Sequence, residues 1–69
     1  MRLTTRETEV LQHLANGLSS REVAKKLGIS YHTVKSHRKS IQQRLGAITF
    51  VHAISIAMAE KLIEGDPWH

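Results

Sequence analysis

A chain of 69 residues with 41% hydrophobic content and no cysteine has room for one small core, which leaves about 40% of the unfolded chain's surface still exposed and is braced by neither disulfide nor thiolate-bound metal. The formal net charge is +4 and it is unevenly spread: the stretch from Arg21 to Arg44 holds seven Lys/Arg and one acid, a formal +6, leaving −2 for the rest. Such concentration favours a polyanion as partner. The most apolar stretch, Ile48 to Ala59, is broken by Thr49, His52 and Ser55 and falls short of the roughly 20 residues that span a bilayer. Met1 leads directly into the polar run RLTTRETE, which lacks the apolar core of a secretory signal, so the expectation is a cytoplasmic protein without a membrane partner.

Four helices are predicted in chain order, at about 5–16, 20–27, 31–45 and 50–63, and no segment alternates with the period of a strand. The first opens at Thr4 with Glu7 three residues later, a capping box, and Gly17 closes it. Ser19 and Glu22 repeat the device for the short second helix, which ends at Gly28. Ser30 caps the third, which Gly46 terminates. The fourth starts at Thr49 or Phe50 and ends before Gly65 and Pro67. The expectation is an all-α, compact four-helix domain spanning residues 1–69, with the second and third helices joined as a helix-turn-helix.

At about 100° per residue, Val34, Ile41 and Leu45 share one side of the third helix and face the core. The opposite arc then carries His32, Lys35, Ser36, Lys39 and Gln43. Tyr31 and Arg38 lie on one flank; Thr33, His37, Ser40 and Arg44 lie on the other. A solvated helix surface ordinarily mixes signs, yet no acid lies between Tyr31 and Arg44. The pattern suits a centre that reads base edges between flanks that grip phosphates. On the fourth helix Val51, Ile54, Met58 and Leu62 form a stripe for the core, while His52, Ile56, Ala59 and Ile63 form a second stripe, a candidate dimer interface.

The segments LTTRETEVLQHLANGLSSREVAKKLGIS and YHTVKSHRKSIQQRLG, together Leu3 to Gly46, resemble the LuxR-type (GerE/FixJ-type) DNA-binding domain of bacterial transcription regulators, response regulators among them. The resemblance implies sequence-specific binding of double-stranded DNA, with the third helix in the major groove as recognition helix. It implies base contacts from Lys35, Ser36 and Lys39. Backbone contacts are expected from Arg21, Ser30, His32, Thr33, His37, Arg38 and Arg44, with Lys25 near them. A homodimer on an inverted repeat, and RNA polymerase as a protein partner, belong to the same expectation. After Gly46 the chain departs from the pattern, with Ile48 and Phe50 where polar or basic residues are usual, and apolar packing is expected there.

Other readings compete less well. His32 and His37 are five residues apart, about 140° around a helix, and cannot share a metal as an i, i+4 pair does. No acid is set beside a histidine and a nucleophile in the manner of a hydrolase, so neither enzyme activity nor a cofactor is expected. A sigma-factor-like promoter-reading domain shares the Gly-Ile-Ser and Thr-Val-Lys arrangement, but its recognition helix ends the domain, whereas here another helix follows. A protein-interaction module built on the same fold is the alternative from a different class.

Overall fold

The computed structural model describes residues 2–64. Four helices follow one another: α1 (Thr5–Ala15), α2 (Ser20–Leu27), α3 (Tyr31–Arg44) and α4 (Phe50–Ala59). Their starts are set locally. Thr4 and Ser19 each accept a hydrogen bond from the N–H three residues on, and Glu7 and Glu22 accept one from the cap's own N–H, completing two capping boxes. Ser30 and Thr49 cap α3 and α4 through Thr33 and His52 N–H groups. The third residue of α3 is therefore threonine where the first two helices have glutamate. An acid at that point would stand beside the basic face; the threonine hydroxyl instead meets Ser30 Oγ at 2.8 Å.

One cluster of buried side chains unites the elements: Leu3, Val10 and Leu11, Val23 and Ala24, Val34, Ile41 and Leu45, Ala53 and Ala57, and Ile63. Val10, Leu11, Val23, Val34 and Ile41 are fully buried, which places α3 between the other helices. Gly28 turns the chain from α2 toward α3 at φ 68°, ψ 33°, a left-handed conformation that side chains bearing a Cβ adopt at a cost. Its N–H and that of Ile29 both donate to the Ala24 carbonyl. The connection between the two helices is thereby held within three residues.

The fourth helix departs most from the sequence reading. It ends at Ala59, not near Ile63. Lys61, at φ 58°, reverses the chain, with Lys61 N–H bonded to the Met58 carbonyl and Leu62 N–H to that of Ala57. This is the Schellman arrangement usually closed by glycine. The terminating role given to Gly65 and Pro67 falls outside the described residues. The face turned inward is Ala53 and Ala57, both fully buried, while Val51 is 73% exposed; Ile54, Met58 and Leu62 are only partly buried. Small side chains let α4 lie close to its neighbours, and the expected stripe of Val51, Ile54, Met58 and Leu62 is displaced around the helix. Ile63, assigned to the dimer stripe, is 6% exposed and part of the core, and Ile56 packs partly against it. Of that stripe only His52 and Ala59 are open to solvent. The packing expected of Ile48 fails as well, because it is 84% exposed; Phe50 does pack.

The segment after α4 is pinned to α1 by one side chain. Gln12 Nε2 donates to the Glu64 carbonyl at 2.7 Å, and Glu64 N–H donates to Gln12 Oε1 at 2.6 Å. That pairing holds residues 61–64 against α1 and lets Ile63 reach the core.

Candidate nucleic-acid interface

Burial of Val34, Ile41 and Leu45 fixes the rotation of α3, and the rest of its surface follows. His32, Thr33, Lys35, Ser36, Lys39 and Gln43 are exposed, and His37 and Ser40 are half-buried. The three residues assigned to bases, Lys35, Ser36 and Lys39, thus share the outer surface of a 14-residue helix. Its length is about 21 Å at 1.5 Å per residue, and a helix of ordinary diameter fits a major groove about 12 Å wide. Ser30 lies exposed at the start of this surface, its hydroxyl engaged by Thr33 N–H at 3.0 Å. Among the described residues the ion pairs join Arg2 to Glu60, Arg6 to Glu9 and Arg44 to Glu7. Arg21, Lys25, Lys26, Lys35 and Lys39 are in none of them, so their charge faces outward uncompensated.

Two arginines assigned to the DNA backbone are committed within the protein. Arg38 Nη1 donates to Ser20 Oγ at 2.9 Å, and its guanidinium lies 4.6 Å from the centre of the Phe50 ring. It therefore ties the start of α2 and the start of α4 to the middle of α3. Phe50, the departure from the usual pattern, supplies the platform. Arg44 Nε donates to Glu7 Oε2 at 3.0 Å, while Glu7 Oε1 accepts the Thr4 N–H at 2.9 Å. Glu7 is 3% exposed and its carboxylate is satisfied by these two donors, so the end of α3 is locked to the start of α1. Arg2 adds a bond from Nη2 to the Arg44 carbonyl at 3.2 Å. Neither arginine is the free flanking cation the helical wheel implies, because a wheel records direction and not the partner waiting on another helix.

Tyr31, which the sequence reading placed with Arg38 on a phosphate-gripping flank, is found gathering cations. Its ring carries the Arg21 guanidinium at 4.4 Å and the Lys35 ammonium at 5.5 Å from its centre. The available signal was an aromatic residue at the first position of a basic helix, but the partner Arg21 comes from α2 and only the turn brings it near. The Glu22 carboxyl beside Arg21 is turned inward to its cap: the hydrogen bond from Ser19 N–H, then that with the Ser19 hydroxyl, hold its pKa below the ordinary 4.5.

A short helix, a turn of three residues and a longer helix with an acid-free basic face define a helix-turn-helix domain of the DNA-binding kind. The pattern of the family described as "Bacterial regulatory proteins, luxR family" matches residues 1–57, and the chain belongs to that family, whose helix-turn-helix domains bind DNA in transcription regulation. It is 42% identical over 64 residues to the transcriptional regulatory protein YdfI of Bacillus subtilis (strain 168), covering 93% of this chain and 30% of that protein. The structure of the transcription factor GerE matches with a TM-score of 0.91 at 30% identity, over 96% of this chain and 98% of that one. The VqmA dimer of Vibrio cholerae, a LuxR-type receptor, matches with a TM-score of 0.81 at 32% identity, over 87% of this chain and 26% of that one. The chain spans about 30% of the length of the full-length relatives it matches. Among the described residues no helix is long and apolar enough to cross a membrane.

Proposed function

We propose that the domain reads a specific duplex DNA sequence by seating α3 in the major groove, as part of a cytoplasmic transcription regulator. The observation that carries this reading is the outer surface of α3, where Lys35, Ser36 and Lys39 stand exposed without an ion-pair partner among the described residues. Lys35 and Lys39 donate to base edges and Ser36 adds a short hydrogen-bonding contact. Arg21, Ser30, His32, Thr33 and His37 meet the phosphates, joined by the Nη groups of Arg44 that its bond to Glu7 leaves over. Arg38, held by Ser20 and Phe50, keeps α2, α3 and α4 in register instead of gripping DNA.

Two copies bind together on an inverted repeat with half-site centres about 10 bp apart. The surface that suits the contact is the outer face of α4, Val51, His52, Ser55 and Ala59, all exposed; its apolar character and small residues permit close approach of a second helix. That the neighbouring VqmA structure is of a dimer supports the pairing of two copies. RNA polymerase is the protein such a regulator meets at a promoter.

The test is the sequence enriched from a random duplex pool, followed by affinity against salt. Lys35→Ala or Lys39→Ala reduces discrimination between the enriched and scrambled sites by about 1–3 kcal/mol. Arg44→Ala flattens the plot of log affinity against log salt by about one unit, whereas Arg38→Ala leaves the slope unchanged. No enriched sequence, or binding insensitive to salt, overturns the reading.

A further inference from the structure

We propose that Tyr31 is a positioning residue that couples a phosphate contact made from α2 to base reading from α3, so that Arg21, which touches no base, contributes to sequence discrimination. The inference rests on the DNA-reading role proposed above. Arg21 lies in the first turn of α2, where the positive end of the helix dipole disfavours a cation. Lys35 lies in the second turn of α3, one turn on from Tyr31. Two like charges from two helices nonetheless converge on one ring, with the guanidinium at 4.4 Å and the ammonium at 5.5 Å from its centre. No carboxylate offsets them among the described residues: the ion pairs there involve neither, and Glu22, the acid next to Arg21, is bound to Ser19 N–H at 2.8 Å.

The electron-rich ring attracts each cation by charge–quadrupole interaction. It restricts two long side chains that would otherwise sample many rotamers, and it leaves their outer donors unpaired. The convergence is thus already assembled for a phosphate. When Arg21 takes that phosphate, the ring position it shares with Lys35 sets how far the ammonium extends toward the bases. Tyr31 itself is half-buried, and its ring, not its hydroxyl, supplies the effect. That distinction makes Tyr31→Phe the conservative variant and Tyr31→Leu the disruptive one.

The experiment is a double-mutant cycle on the DNA site enriched by the wild-type domain, read as affinity for that site and for a scrambled duplex. Tyr31→Leu lowers the preference for the enriched site about fivefold, the size expected for two exposed cation–π contacts, and Tyr31→Phe retains it. Arg21→Ala lowers affinity for both duplexes and also lowers the preference between them; in the Tyr31→Leu background the second effect vanishes. Proton NMR of the free domain supplies a readout independent of DNA. Arg21 δ-methylene and Lys35 ε-methylene signals are shifted upfield by the ring in the wild type and the Phe variant, and move to their ordinary positions in the Leu variant. Additive losses in preference, or the absence of upfield shifts in the wild type, overturn the coupling. A wild-type domain that enriches no DNA sequence overturns the DNA reading itself and the coupling with it, whereas enrichment with additive losses overturns the coupling alone.

Discussion

The helix-turn-helix pair and the fourth helix are built from similar devices, a hydroxyl cap at the start and a left-handed residue after the end, yet they respond differently to sequence reasoning. In α2 and α3 a narrow apolar stripe is set against a wide polar surface, so only one rotation of each helix buries Val23 and Ala24, or Val34 and Ile41. In α4, FVHAISIAMA, apolar residues lie nearly all round, and several rotations bury comparable area. The choice among them falls to what α3 leaves open. That space accepts Ala53 and Ala57 and turns the bulkier Val51 outward. A region specified by its own pattern serves the DNA surface; a region specified by its neighbours closes the core and leaves its outer face exposed.

The sharpest way to break this contrast is to exchange sizes on the two sides of α4. Ala57→Leu forces three extra carbons into a fully buried position and should destabilise by about 1–3 kcal/mol, seen as a lower urea midpoint. Val51→Ala on the outer face should change the midpoint by no more than about 0.5 kcal/mol. Equal effects would show that the rotation of α4 is not the one described.

Two of the left-handed positions, Gly28 and Lys61, give a paired and smaller effect. Gly28→Ala meets no atom within 4 Å of the added Cβ, so its cost is conformational alone, about 1 kcal/mol. Lys61→Gly should move stability the other way, by about 0.5–1 kcal/mol, because Lys61 already sits at φ 58° where glycine is unstrained. Thermal melting of both variants checks the pair, and a stabilising Gly28→Ala would refute the turn geometry.

The smallest expected effect concerns pH. Hydrogen bonding to Ser19 holds the Glu22 pKa below its ordinary 4.5 in the folded protein, so folding favours the ionised form. That contribution is full above about pH 4.5 and is lost as pH falls through the lowered folded value. Glu22→Gln lacks it. The stability difference between wild type and variant should therefore narrow from about pH 4.5 downward, and a difference constant between pH 6 and pH 3 would separate Glu22 from the cap.

Sequence alone determined the four helix starts, the ends of the first three to within one residue, the inward face of α3 and the outward position of Lys35, Ser36 and Lys39. Each of these depends on local rules: a hydroxyl and an N–H three residues apart, a glycine where φ is positive, a repeat of apolar residues at helical spacing. Tertiary structure decided what needs two separated segments at once. Arg44 found Glu7 across the core, Arg38 found Phe50 and Ser20, Tyr31 gathered Arg21 with Lys35, and Ile63 was drawn inward when Gln12 bound the Glu64 backbone. A long cationic side chain can reach several partners from one backbone position, and an apolar side chain can fill any gap of its size. Which of these is realised depends on the distance between helices, a quantity that no periodicity within one helix contains.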